Sequence, residues 1–417
     1  MKLSRREVLA GSAAALAACG ARFELNGPFP LDVTSGDVTA TTALLWTMYR
    51  GNGALKARVW REGESTPVLE QPAAALDGFV HFDAAGLEPF TWYGFDFGDG
   101  DERSAPGRFR TTPAAGQSVP LTFGAVSCTK LGFPLTPLKQ AAMRRDLDAF
   151  LFLGDTVYSD GADDLDGFRD KWSQSIAHPN HHALRAATSA IDTWDDHEMF
   201  DNWNADNAGP PDTLAGLQAF YEHQPLHPGP GRRIWRSLKW GATAEVFVLD
   251  CRGERRPSRQ QYVSPDQLEW LKDALSASTA SFRIIMNSVP ISNFPGAFFG
   301  LTENDRWQGY PAQREDILGH IEDTNLRGVL WLAGDFHLAC MGRVSRSGRG
   351  TSAIEALVGP GGQTPNVSPS YPDLPQFDWA SGINNFTTVQ LDPTTLEATL
   401  TYTDGNGRVL TRRTYSL

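Results

Sequence analysis

Short apolar runs that stop abruptly at a polar side chain recur through most of this 417-residue chain. In "FLFLGDTVYSDG", Phe150 to Gly161, an uninterrupted run ends at Gly154-Asp155 and a tyrosine follows at Tyr158. "LTFGAVSC", "ATSAIDTWDDHE", "AEVFVLDCRGER", "FRIIMNSVPIS" and "GVLWLAGDFHL" repeat the pattern. Runs without polar interruption predict strands covered on both faces, and helix-forming stretches between them predict an α/β arrangement. The carboxyl ends of strands in such a sheet share one edge, and ligands bind there. The polar strand ends should therefore converge. They are Ser127-Cys128; Asp155 and Tyr158; Asp195, Asp196, His197, Glu198 and, further on, Asn202; Asp250, Arg252 and Arg255; Asn287; and Asp335 with His337.

The chain is too long for one ordinary core. Residues 27–112 have a different grammar, with short alternating segments such as "TALLWTMYR", "LKARVWRE" and "TWYGFDFGDG" separated by turn signals. That predicts a small antiparallel β-sandwich of immunoglobulin or fibronectin type. Residues 113–120, rich in small residues, Gly and Pro, read as a linker. Residues 121–417 then form the α/β region. Within it "TPLKQAAMRRDLDAF" predicts a helix. "SPDQLEWLKDALSAS" predicts another, with Ser264 at the cap, Pro265 in the first turn and Gln267 closing a capping box. The tail returns to strands, with a hairpin at Gly405-Asn406-Gly407.

The first residues read as an address. Arg5 and Arg6 precede a short apolar stretch, as in a twin-arginine export signal spanning residues 1–19, too short to cross a bilayer. "LAAC" resembles a lipobox that would lipidate Cys19; cleavage without lipid near Ala17 is the other reading. The expected location is periplasmic or at the cell surface, with a possible lipid anchor. A net charge of −12 argues against specific or non-specific nucleic-acid binding, which needs basic surface. One local cationic site would still admit a phosphorylated partner. Of the other cysteines, Cys251 and Cys340 follow strands and either pair with each other or are buried thiols.

"GDTVY", "WDDHE" and "GDFH" in that order, preceded by "SC", resemble the alkaline phosphatase D family of metallophosphoesterases, and more distantly the purple acid phosphatases. The "FPLDVTSGDVTATTALLWT" start is also similar to that family, so the resemblance covers nearly the whole chain. It implies a metallophosphoesterase-type sandwich of mixed sheets flanked by helices. It also implies Fe3+ held by Cys128, Asp155, Tyr158 and His337, and Ca2+ held by Asp196, Asp335 and Asn202, with Asp155 bridging. Residue chemistry agrees: ferric iron keeps phenolate and thiolate deprotonated, and an oxygen-rich second site suits a hard cation. Alone, each residue has an ordinary reading. A carboxylate after a strand caps a helix or turn, and a buried cysteine packs. Their joint placement at strand ends is what points to a metal pair.

The implied reaction is hydrolysis of phosphate monoesters or diesters by a metal-bound hydroxide. His197 takes the acid or phosphate-contact role, oriented by Glu198 or Asp195. Arg252 either forks onto the phosphate or pairs with an acid such as Asp250 or Glu254. The substrate would be a small phosphate ester or a phosphodiester polymer, with phospholipid and teichoic-acid-like chains as alternatives. A non-catalytic, lipid-anchored metal-binding surface protein is the competing class. "HPNHH", His178 to His182, reads as a solvated loop. Ser159 to Phe168 reads as an exposed connector in which Ser159 displaces by one residue the acid that often follows the motif tyrosine.

Overall fold

A computed structural model describes residues 22–209, 212–294, 303–366 and 375–417. Arg5, Arg6 and Cys19 lie outside them. No helix among the described residues is long and apolar enough to cross a membrane.

The amino-terminal region contributes β1 (Val33–Gly36), β2 (Thr42–Met48), β3 (Leu55–Arg61), β4 (Pro67–Pro72), β5 (Phe79–Ala85), β6 (Trp92–Asp99), β7 (Glu102–Arg103) and β8 (Gly107–Arg110). Then come β9 (Leu121–Val126), α1 (Thr136–Ala142), β10 (Ala149–Leu153), α2 (Leu165–Ile176), α3 (Pro179–Ala187), β11 (Ala190–Thr193) and α4 (Asp212–His223). They are followed by β12 (Arg236–Trp240), β13 (Ala244–Val248), α5 (Pro265–Ala277), β14 (Phe282–Met286), α6 (Pro311–Asp323) and β15 (Val329–Ala333). β16 (Ala339–Arg343), β17 (Ile354–Leu357), β18 (Phe377–Ser381), β19 (Asn385–Asp392), β20 (Glu397–Asp404) and β21 (Val409–Ser416) complete the described strands.

Two sheets face each other. One runs β21-β20-β19-β9-β10-β11-β1-β2-β5 and the other β12-β13-β14-β15-β17-β16-β18. The β9-β10-β11 and β13-β14-β15-β17 neighbours are parallel. The apolar runs sort by alternation. On β10, Ala149, Leu151 and Leu153 face the inter-sheet core, whereas Phe150 and Phe152 pack outward with Leu138 and Leu184 of α1 and α3. On β15, Leu330 and Leu332 point in and Trp331 points out, against the side carrying Leu271 of α5 and Ile317 of α6. Both faces are covered, so the strand needs no polar positions until it ends. Truncating Leu151 to Ala would cost about 2–5 kcal/mol, as for other fully buried leucines.

β3, β4, β6, β7 and β8 form a separate five-stranded sheet. Their inward residues, including Val59, Phe95 and Phe109, meet Val33, Leu45 and Val80 of β1, β2 and β5. The amino-terminal sandwich thus borrows one of its two faces from the large sheet, where Gly36 on β1 pairs in parallel with Ala190 on β11. Gln117 N donates to Ala114 O at 2.9 Å, and Val119 N donates to Thr243 Oγ1 at 2.9 Å. The 113–120 segment is therefore pinned to the body.

Two local readings are corrected and one open alternative is decided. "HPNHH" is the start of α3, not a solvated loop: His178 caps it by accepting from Asn180 N, and His181 is fully buried. On α5, Ser264 Oγ accepts from Gln267 N at 3.1 Å, but Ser264 N donates to Glu254 Oε2, also at 3.1 Å, rather than to the Gln267 side chain. Gln267 instead turns to the backbone of Asp250. Cys251 and Cys340 are buried free thiols in different core clusters, not a disulfide.

Candidate metal centre

The strand ends of both sheets supply one buried cluster. Cys128 follows β9, Asp155 and Tyr158 follow β10, Asp195 to Glu198 follow β11, and Asp335 and His337 follow β15. Ligand atoms of Cys128, Asp155 and His337 lie within 4.8 Å of one another, as do those of Asp155, Asp196 and His197, and those of Asp195, Asp196 and Asp335. Tyr158 Oη is 3.2 Å from Asp155 Oδ2 and 3.3 Å from His337 Nε2, and Cys128 Sγ is 3.5 Å from the same Asp155 oxygen. Four different donor types thus surround one point, with Asp155 shared between neighbouring groups.

The backbone is bent to achieve this. Cys128, Asp155, Asp335 and His337 have φ of 56°, 52°, 63° and 48°, in the left-handed region that such residues rarely occupy. Glu198 clasps two of the loops. Its Oε1 accepts from Thr156 N at 2.6 Å, and its Oε2 accepts from Asp155 N at 3.1 Å and Asp195 N at 2.8 Å. Both Gly-Asp glycines are required. At Gly154, with φ +86°, a Cβ would lie 2.5 Å from Asp195 Cβ; at Gly334 it would lie 2.6 Å from Ser127 Cβ.

A cation fits these residues. Asp155 Oδ1 is buried without a hydrogen-bond partner, which is unfavourable unless a ligand completes it. Burial, followed by neighbouring carboxylates, pushes the Asp155 carboxyl well above its ordinary value, and burial followed by Asp155 does the same to the Cys128 thiol and the Tyr158 phenol. Burial and Asp195 raise the Asp196 carboxyl to about 6 against the pull of Arg252. These groups resist ionising together on their own, and a multivalent cation reverses that preference.

His197 lies against the Tyr158 ring, with centroids 4.2 Å apart. Its Nδ1 is 2.7 Å from Asp160 Oδ2. Burial opposes its charge, but Asp160, Asp155 and Asp196 hold the ring protonated up to about 10. The expected orienting partners, Glu198 and Asp195, are occupied elsewhere: Glu198 with backbone amides and Asp195 with Arg252. Asp160, the acid displaced by Ser159, does the job.

Arg252 forms no fork for phosphate. It is fully buried, with Nε 2.7 Å from Asp195 Oδ1, Nη2 2.8 Å from Asp195 Oδ2 and 3.1 Å from Asp335 Oδ1, and Nη1 on Asp305. Burial works against the Asp195 carboxyl, yet Arg252 holds it down at about 2. The acids its guanidinium pairs with come from elsewhere in the chain, and from Arg252 the Asp250 carboxylate accepts only the backbone N–H, at 3.1 Å. Asp250 also accepts from Trp194 Nε1 at 2.8 Å. Arg255 pairs with Asp305. The Asn202 side chain is also not drawn in: its Nδ2 donates to Asp201 at 2.9 Å, and only its backbone N–H reaches Asp196 Oδ2, at 2.5 Å. Asn287 is buried structure, accepting from Trp307 Nε1 at 3.1 Å. Asp160 is visible in the sequence as the acid that Ser159 separates from Tyr158, though its contact with His197 is not; Asp305 is not singled out by sequence pattern. Asp305 has no signal of its own, lying beyond a strand end by many residues.

The sequence family described as PhoD-like phosphatase matches residues 123–371, and its N-terminal domain matches residues 13–113. Alkaline phosphatase D of Bacillus subtilis (strain 168) is 29% identical over 387 residues, covering 76% of this chain and 66% of that protein. The chain thus spans just under two thirds of that relative's length. A solved structure of PhoD superposes with a TM-score of 0.80 at 24% identity, over 95% of this chain and 90% of that one. A purple acid phosphatase from yellow lupin (Lupinus luteus) seeds gives 0.72 at 15% identity, over 92% of this chain and 73% of that one. At these identities the two structures bear on the fold.

Proposed function

This chain belongs to the PhoD-like phosphatase family, and from that premise we propose that it is a metal-dependent hydrolase of phosphate esters. The observation that carries the reading is the convergence of Cys128 and Tyr158 on Asp155 Oδ2, with His337 against the Tyr158 hydroxyl, while the other carboxylate oxygen, Asp155 Oδ1, is buried without a partner. Thiolate, phenolate, carboxylate and imidazole together suit a ferric ion, and Asp155 with Asp196 suits a hard divalent ion such as calcium beside it. Asp335 is the further calcium donor of this reading, and Asn202 would take part only through a changed side-chain direction. Such a pair, when bound, supplies Lewis acidity and an activated water for hydrolysis.

The chain's own residues do the rest. Asp160 fixes the His197 ring by Nδ1, which leaves Nε2, 3.9 Å from Asp201 Oδ1, as the nitrogen that can carry a proton to substrate. That proton can be given to the departing ester oxygen or to a phosphoryl oxygen. Cations on Asp155 and Asp196 would cancel part of the field that holds it, moving His197 toward a working pKa. Arg252 keeps Asp195 ionised and fixes Asp335 from beneath. Export by the twin-arginine route, with lipid on Cys19, belongs to the same proposal. The substrates it favours are small phosphate esters, with phospholipid or teichoic-acid-like diesters as the second choice.

Metal analysis of wild type and Cys128→Ala, with aryl monoester, aryl diester and phospholipid hydrolysis run in parallel, tests the reading. Wild type should carry iron, show a visible phenolate-to-iron absorption and turn over at least one ester; Cys128→Ala should lose iron and turnover together. Active wild type free of iron would refute the ferric assignment. Iron-loaded wild type inert on all three esters would favour a surface binding protein.

A further inference from the structure

Lys130 stands two residues beyond Cys128, and its backbone is pinned. Its N–H donates to Gly362 O at 3.0 Å, and its carbonyl accepts from Phe133 N at 3.3 Å. The side chain is exposed and brings Nζ to 5.0 Å from the centroid of the Tyr158 ring. Among the described residues the ion-paired lysines are Lys56, Lys239 and Lys272, and no described carboxylate pairs with Lys130. An ammonium is thus held beside the cluster and the phenol, with no ion-pair partner among the described residues.

The surroundings make that charge useful. The protein carries a net −12, so an incoming anion meets an overall repulsive field away from the metal site. A lysine is a compact, flexible point charge that reads amount of charge rather than shape. Above pH 7 a phosphomonoester is doubly charged, because its second pKa is about 6, whereas a diester carries one charge. We propose that Lys130 is a substrate-recognition residue that favours doubly charged phosphates, monoesters and inorganic phosphate, over singly charged diesters. The inference rests on the phosphoesterase reading and adds the ester class to it. The competing role is indirect, with the ammonium acting through the Tyr158 ring on metal binding.

The test compares metal-loaded wild type, Lys130→Gln and Lys130→Arg on p-nitrophenyl phosphate and bis-p-nitrophenyl phosphate, which share a leaving group. Calorimetry with inorganic phosphate supplies an equilibrium reading. For Lys130→Gln, monoester KM and phosphate Kd should rise roughly fivefold, the effect of one partly exposed charge. The loss should fall in KM rather than kcat, and the diester should change by less than about twofold. High salt should erase the difference from wild type, and Lys130→Arg should retain most of the binding. Equal shifts for both esters, or altered metal content with unchanged phosphate Kd, would overturn the proposal. If loaded wild type hydrolyses neither ester, the functional reading fails instead. The phosphate Kd then still decides: weaker binding by Lys130→Gln supports a recognition role, and equal binding removes it.

Discussion

Four residues at the cluster, Cys128, Asp155, Asp335 and His337, adopt left-handed backbone conformations, each costing about 1–2 kcal/mol for a residue with a side chain. The turn they create folds each side chain back over the strand end that carries it. The sequence shows the residue types but not this bend, which depends on Glu198 holding neighbouring amides. Arg252 is the clearest case of a residue whose role was ambiguous on paper. Two readings stood open, and burial decided for the ion-pair network, because the facing acids come from β11, β15 and the Asp305 loop. Arg252→Met should destabilise the protein by about 3–5 kcal/mol, since it strands buried carboxylates; urea unfolding of wild type and variant checks it, and a loss below about 1 kcal/mol would contradict the network. Asp160→Asn should lower kcat/KM by about 10–100-fold, as loss of an orienting partner usually does. It should also displace the pH profile while lowering the melting temperature only slightly, because Asp160 is half-buried and the amide introduced by the substitution keeps an acceptor for Asp201 N. A steady-state pH series reads this directly.

At the scale of elements, strands were more legible than helices. Period-two sorting of Phe150, Leu151 and Phe152 between two cores needs only an uninterrupted apolar run. α3 was hidden because its polar opening, "HPNHH", looks solvated until Leu184 and His181 are packed inward. His181 and His223 are fully buried within or at the end of α3 and α4, and burial lowers both rings to about 3. The native state refuses protons that the unfolded chain accepts below pH 6.5. Stability is therefore present above pH 6.5 and declines as pH falls toward 3, by about 1.4 kcal/mol per unit for each ring. From pH 7 to pH 5 the melting temperature of His223→Gln should respond to acid less unfavourably than that of wild type, even though the variant loses the bond to Ala219 O. An unchanged slope in the variant would show that these histidines do not govern acid lability.

At the scale of the whole molecule, the amino-terminal sandwich and the α/β body share a core and a sheet. Composition marks a change at residues 113–120, but no composition can reveal that β1 pairs with β11. Removing residues 22–119 would uncover the β11 edge and the faces of Leu121 and Ile191 that now sit in the common core. Expression of residues 120–417 alone should give insoluble or loosely folded protein. A soluble fragment with a cooperative melt near that of the full chain would show that the shared sheet is dispensable.

What the sequence determined by itself was the alternation of buried strands and helices, the presence of an all-β region before them, and the residue types at the strand ends. Those follow from local hydrophobic period and turn chemistry, which short stretches encode. Only the tertiary structure decided which polar residues meet at one point. It turned Asp160 rather than Glu198 toward His197, directed Arg252 to carboxylates and left the Asn202 side chain outside. Partner choice depends on loops from distant strands packing together, and no neighbourhood along the chain contains that information.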